Sequence, residues 1–439
     1  MSSKSTLLCP KWLIPVQPSQ TVLTEHAVLI EKETIKAVGK RERLIEQHPN
    51  ADVVQLPDHA LIPGLINAHG HSAMTLLRGI ADDLPLETWL HDHIWPAEAK
   101  WVNEQFVEDG TKLAVAEMLL GGTTCFADMY FYPNISARVA QNMGIRAMVG
   151  LIVMDFPTVW AQNPDEYFTK GIEVHDEIRS YSNVSASFAP HAPYTVSDEP
   201  LQRVQTLADE LQLQIQMHIH ETEHEVKEAI GQTGQSPLRR LDDLGLLTPK
   251  LMAVHMTQLD ASEIELVARS GMHVIHCPES NMKLASGICP VSDLLSAGAN
   301  VALGTDGAAS NNDLSMLGEM RTASMLAKVS SKDAAALPAW QVLEMATING
   351  AKALNMEHEV GSIEVGKFAD LTAIELASVH STPVYDPIST IIYSCSPEQV
   401  TDVWVGGKRV VNSRVLVDTK IADLKLKARD WADRISRTT

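Results

Sequence analysis

Along the chain, short stretches in which nearly every position is apolar or small alternate with longer stretches whose apolar positions recur every three or four residues. The first pattern predicts strands buried on both faces and the second predicts helices that cover them. Eight buried runs follow one another: Leu61 to His69, Thr123 to Asp128, Arg146 to Val153, Ser185 to His191, Gln214 to His220, Leu251 to His255, His273 to Pro278 and Val301 to Asp306. Helical spacers include Glu104 to Leu120, Glu199 to Leu211, Asp260 to Ser270 and Asn312 to Lys328, the last two opening on an acidic or amide residue suited to capping. Eightfold alternation predicts an α/β fold in which a parallel sheet closes into a (β/α)8 TIM barrel over residues 61–359.

The two ends of the chain have a different texture. Residues 1–60 carry short alternating runs such as Ala27-Val-Leu-Ile-Glu31, and residues 360–439 carry Val403-Trp-Val-Gly-Gly-Lys-Arg-Val-Val411, where Gly406-Gly407 suits a hairpin turn. Neither end can bury its own apolar face. The two are therefore expected to pair as one small composite β-sandwich domain.

Polar residues are not scattered at random over the barrel runs: seven of the eight end in or contain a His or Asp near the C-terminal end, where barrel enzymes place their chemistry. The chain has three His-x-His pairs, at 69/71, 91/93 and 218/220, and only the first and third follow strand-like runs. His69 and His71 leave one face of a strand and can grip one cation. His218 is the natural third nitrogen ligand, although His220 shares its face and competes for that role. Asp306 closes the ring, and three imidazoles with one carboxylate suit one divalent ion, Zn2+ foremost among first-row metals.

A metal lowers the pKa of a bound water towards about 7, which leaves the need for a proton carrier. Glu221, three residues after His218, is the candidate, with His255 placed to hydrogen-bond the nucleophile and Asp306 able to take a proton from it. Blander readings apply elsewhere. His91 and His93 line the mouth at best, His276 reads as structural, and the carboxylates after Glu221, Glu223 and Glu225, read as a solvated face.

Composition narrows the partners. The 55 acidic residues exceed the 35 basic ones by 20, a surface that repels phosphate backbones and anionic lipid, so a small neutral or zwitterionic partner is expected rather than nucleic acid or membrane. Five scattered cysteines without a Cys-x-x-Cys indicate no disulfide framework, and the segment from Met1 to Lys11 develops no signal-peptide core, so a cytoplasmic setting is expected.

Pro63-Gly-Leu-Ile-Asn-Ala-His-Gly-His71, His218 with Glu221, His255 and Thr305-Asp306-Gly307, in this order, resemble the amidohydrolase superfamily over nearly the whole chain. The run Ser185 to His191 offers no lysine to bridge two metals, so the likeness is to the mononuclear aminohydrolase branch. Leu86 to Glu98, Pro190 to Tyr194 and His276 to Ser286 are similar to the methylthioadenosine/S-adenosylhomocysteine deaminases. That resemblance implies a purine nucleoside substrate, a homo-oligomer, a ribose contact from Glu98 and further substrate contacts from His191, Trp89, Glu221 and Asp306. It also implies an arginine after the third strand in members that accept S-adenosylhomocysteine. Here Gly150 to Phe156 is apolar apart from Asp155, which favours 5′-methylthioadenosine, with Arg146 as a partial substitute for the missing cation. Guanine deaminases and triazine chlorohydrolases are the nearest alternatives, and a noncatalytic metal-dependent binding protein is the remote one.

Overall fold

A computed structural model describes residues 5–437. Met1–Lys4, the start of the segment read for a signal sequence, lie outside the described residues. Eight parallel strands pair strictly in chain order: β1 (Leu65–Gly70), β2 (Thr123–Asp128), β3 (Arg146–Val153), β4 (Val184–Pro190), β5 (Gln214–Ile219), β6 (Leu251–His255), β7 (His273–His276) and β8 (Asn300–Leu303). The ring is joined where Gly70 bridges Asp306 in parallel register and the Asp306 amide donates to the His69 carbonyl at 3.1 Å. Every residue of β1, β2, β3, β5 and β6 is buried, as expected for a sheet with both faces covered.

The apolar run that begins at Leu61 does not belong wholly to the barrel. Asp52–Pro63 is a strand of the second sheet, and the chain changes sheets at Gly64. The approach there is so close that a Cβ on Gly64 would lie 2.0 Å from Thr124 Oγ1. Hydropathy carries no mark of the change because both strands are equally apolar. A second difference concerns the helix expected from Asn312. It spans Met316–Ser331 instead, because Asn312 adopts a φ of 83° and the Ser315 hydroxyl supplies the cap by accepting the Gly318 amide. Asp260, by contrast, caps Ala261–Ser270 in a full capping box with Glu263.

The chain ends meet in a nine-stranded mixed sheet. Asp52–Pro63 pairs parallel with Thr6–Leu13 on one side and antiparallel with Leu371–Glu375 on the other, which is the seam between the two ends. Leu8, Val28, Leu61, Leu371 and Trp404 share one apolar cluster, so each end covers the other's apolar face. Gly406 and Gly407 turn the hairpin of Val400–Val405 and Lys408–Asn412 with φ of 52° and 71°, left-handed values that glycine adopts freely. The final helix, Ile421–Ser436, returns to the barrel, where Asp109 accepts from Lys427 at 2.6 Å and from Trp431 Nε1 at 3.2 Å. Among the described residues no helix is long and apolar enough to cross a membrane. All five cysteines are buried and unpaired.

Candidate active site

Four side chains from three strand ends and one following turn converge at the C-terminal mouth of the barrel. Ligand atoms of His69, His71, His218 and Asp306 all lie within 4.8 Å of one another. Their orientation follows from the other atom of each group. His71 Nδ1 lies 2.5 Å from the Met129 carbonyl, and His218 Nδ1 lies 2.8 Å from the His191 carbonyl. A carbonyl only accepts, so both rings carry a proton on Nδ1 and turn Nε2 inward. His69 Nδ1 sits 3.4 Å from Gln216 Oε1, and Gln216 is itself held by donation to the Asp128 carbonyl and Ser187 Oγ.

Asp306 offers one oxygen to the centre and keeps the other engaged. Oδ1 lies 3.1 Å from His71 Nε2 and 3.6 Å from His69 Nε2, whereas Oδ2 accepts from Ser280 Oγ at 2.6 Å and Ser310 Oγ at 2.9 Å. Burial opposes ionisation of Asp306, but hydrogen bonds from His69 and His71 and the charges of His71 and His255 hold it well below the usual carboxylate range. Burial also opposes a charge on His71, yet Asp306 and the Met129 carbonyl raise it to about 9, while burial lowers His69 to about 4. His69 Nε2 and His218 Nε2 face each other at 3.2 Å. Imidazole nitrogens turned inward at this spacing beside a carboxylate fit a divalent cation of the zinc type, which would take the place of the proton on His71 Nε2. His220 takes no part: its Nδ1 lies 2.6 Å from the Gln258 carbonyl and its Nε2 accepts the Leu238 amide at 3.1 Å, so it faces away from the centre.

Glu221 and His255 stand beside the centre, with 3.6 Å between Glu221 Oε2 and His255 Nε2. Burial and the charge of Asp306 raise Glu221 to about 8. His255 is oriented by Asn281 Oδ1, 2.8 Å from its Nδ1. His220, His255 and Asp306 all lie in the left-handed region, with φ of 52°, 76° and 61°, strain that concentrates where the strands end. His276 is fully buried outside the ligand group, as its structural reading requires.

A cavity of about 240 Å3 opens from these groups. Its wall includes Trp89, Glu98 and His191, together with Ile152, Met154 and Phe156. Glu98 is 7 % exposed, and burial raises its carboxyl to about 7 against the opposing influence of Tyr130 and His71. Burial, then the charges of His71 and His69, lowers His191 to about 3, so its ring is neutral. Sequence reasoning missed Met129, Tyr130 and Phe131, which line the same cavity; they directly follow Asp128, and the strand-end rule that found the histidines also marks them. His91 borders an outer space of about 570 Å3 that shares Tyr194 and Glu221 with the cavity wall, and His91 and His93 are both exposed.

Two charged residues differ from expectation. Arg146 begins β3, six residues before Ile152, and its guanidinium grips Asp370 of the composite sheet through Nε at 2.6 Å and a second nitrogen at 3.2 Å. It is a buried brace and cannot reach a substrate carboxylate. Glu225 is not a freely solvated residue: it is half-buried and accepts two backbone amides. The outer space is bordered by Glu87, Asp155, Glu225 and Glu228, and its Arg240 is engaged by Asp198 and the carbonyls of Pro193 and Val196.

Residues 60–410 match the model of the amidohydrolase family. The chain belongs to the amidohydrolase family. Among its relatives in that family, the 5-methylthioadenosine/S-adenosylhomocysteine deaminase of Teredinibacter turnerae is 48% identical over 424 residues, covering 97% of this chain and 96% of that protein. A crystal structure of an adenosine deaminase from Xanthomonas campestris with bound zinc superposes with a TM-score of 0.98 at 49% identity, covering 99% of each chain. Atrazine chlorohydrolase from Arthrobacter aurescens superposes with a TM-score of 0.90 at 22% identity over 97% of this chain and 99% of that one, a likeness of fold alone. The amidohydrolase centre of this chain thus takes one divalent metal ion, and zinc occupies the corresponding solved relative.

Proposed function

We propose that the protein catalyses hydrolytic deamination of an adenine nucleoside, with 5′-methylthioadenosine as the preferred substrate and 5′-methylthioinosine and ammonia as products. The observation that carries this reading is one cavity that joins a His3Asp metal site, a carboxyl able to hold a proton at neutral pH and a second buried carboxyl set apart from the metal. His69, His71, His218 and Asp306 hold the ion, which when bound supplies a Lewis acid that makes water nucleophilic near neutral pH.

Each remaining part falls to the chain's own side chains. Asp306 takes a proton from the attacking water through the oxygen that Ser280 and Ser310 leave free. Glu221 gives its proton to the adjacent ring nitrogen as the water oxygen bonds to the amino-bearing carbon. Asp306 passes the proton it took to the amino nitrogen, the bond from that carbon to nitrogen breaks, and ammonia leaves as the new hydroxyl returns a proton to Glu221 and becomes the carbonyl. His255, whose Nδ1 lies against Asn281 Oδ1, turns Nε2 to the attacking water and accepts its hydrogen bond, a contact strengthened by exclusion of water. Glu98 accepts the two ribose hydroxyls, since a carboxylate accepts two donors at once. His191 and Trp89 contact the base and sugar from the cavity wall.

The 5′ substituent lies against Ile152, Met154 and Phe156. A methylthio group suits this wall, whereas the carboxylate of S-adenosylhomocysteine would meet no free cation there and face Glu87, Asp155 and Glu228 beyond it. The test is ammonia release by metal-replete protein from 5′-methylthioadenosine, adenosine, guanine and a chlorotriazine. Turnover of the first two at the highest kcat/KM is expected. Turnover of guanine or the triazine alone would overturn the reading.

A further inference from the structure

Sequence composition places Glu225 on a solvated face, but its carboxylate lies under the turn that presents Glu221. Oε1 accepts the His220 amide at 3.2 Å and Oε2 accepts the Glu221 amide at 2.8 Å. Both donors belong to the segment where the chain leaves β5 through the left-handed His220. The opposite side of the same peptide units is held by Thr257, whose hydroxyl donates to the Glu221 carbonyl at 2.7 Å and whose amide donates to the His220 carbonyl at 2.9 Å. The His220 ring is pinned at both nitrogens by Gln258 and Leu238. The turn is therefore clamped from below by one carboxylate and from above by one threonine, and the group it carries into the cavity is Glu221.

A helix cap would account for only part of this. Thr222 is the N-cap of Glu223–Thr233, and its hydroxyl accepts the Glu225 amide at 3.2 Å. Glu225 stands at the third helical position, where the usual capping-box partner reaches back to the amide of the N-cap residue itself. Here the carboxylate, which also meets the Thr222 amide, reaches further, to the two residues before the cap. Burying a carboxylate costs stability, and burial raises Glu225 to about 8, so a site chosen for capping alone would favour exposure.

We infer that Glu225 is a positioning residue of the deamination site: its two-pronged hold on the His220 and Glu221 amides fixes the left-handed turn that aims Glu221 at the substrate. The inference rests on the role proposed above for Glu221. Because the clamp holds backbone and does not touch substrate, its loss misplaces Glu221 without emptying the pocket or the metal site.

The experiment compares metal-replete E225Q and E225A with the parent and with T222A, which weakens the same helix start without touching the clamp. For each, kcat and KM on 5′-methylthioadenosine, metal content, thermal midpoint and amide hydrogen exchange across residues 218–225 are measured. E225A is expected to keep one metal per chain and a KM within about twofold, and to lose kcat by about 10²-fold, the scale of an ångström-sized misplacement. E225Q, which retains one acceptor oxygen, is expected to fall between E225A and the parent. In both variants the His220 and Glu221 amides should exchange faster. T222A should lower the thermal midpoint yet leave kcat within about twofold. The inference is overturned if the two amides stay protected in E225A, or if E225A and T222A lose kcat equally. A parent inert on adenine nucleosides would instead refute the proposed function, while the exchange measurement would still decide whether Glu225 holds the turn.

Discussion

The groups that face the metal from the strand ends and the segment over the mouth differ in how their polar atoms are held. At the strand ends, Nδ1 of His71, His218 and His255 and the outer oxygen of Asp306 each meet a protein partner within 2.9 Å. Over the mouth, Trp89 Nε1 is buried with no hydrogen-bond partner, against an otherwise apolar wall. An unmet buried donor costs about 1–3 kcal/mol, so groups left this way are positioned for a ligand to complete them. The comparison teaches that reacting groups are preorganised by the barrel, whereas recognition groups are held in reserve by the elements that cap it.

The largest effects should come from breaking the preorganised half. D306A or H69A removes a ligand from the centre, and elemental analysis should show metal loss together with loss of turnover below detection. Chelation of the parent should do the same and be reversed by zinc. E221Q sharpens the contrast within that half: metal content should stay at the parent value while kcat falls by about 10²–10⁴-fold, the range for a missing proton carrier.

Breaking the recognition half should cost less and read out differently. E98A should lower kcat/KM for nucleosides by roughly 10- to 100-fold, the value of a hydrogen bond to a charged group, with metal content unchanged. Burial raises the Glu98 carboxyl to about 7, and only its ionised form accepts two hydroxyls. For the parent, kcat/KM should therefore fall as pH drops through about 7, and this dependence should be absent in E98Q. The smallest effect is expected from F156R. A partly exposed cation at the rim should raise kcat/KM for S-adenosylhomocysteine relative to 5′-methylthioadenosine by at most about fivefold.

Much of the preorganised half was legible in the sequence, for a physical reason. A strand buried on both faces leaves a continuous apolar run, so the His or Asp that ends it stands out, and His69, His71, His218, His255 and Asp306 were all marked in this way. The choice of His218 over His220 was legible only as a preference, because both share a face of the strand; the Gln258 carbonyl and Leu238 amide that turn His220 away lie 38 and 18 residues distant. The switch of sheets at Gly64 was hidden by uniform hydropathy. Glu225 was misread since a run of carboxylates looks solvated wherever it falls, and only contact shows which one turns inward. Ser280 and Ser310 on Asp306, and Asp370 on Arg146, are likewise pairings across the fold that local pattern does not carry.

The most direct test of the division between the two halves is the ratio of kcat/KM for 5′-methylthioadenosine to that for S-adenosylhomocysteine, measured on metal-replete parent at fixed pH and ionic strength. The two substrates present the same reacting ring to the strand ends and differ only where they meet the mouth. A ratio well above one, arising mainly in KM, is the predicted result. A ratio of one or below would contradict the account, because it would mean that the apolar wall and the acidic outer space do not govern selection.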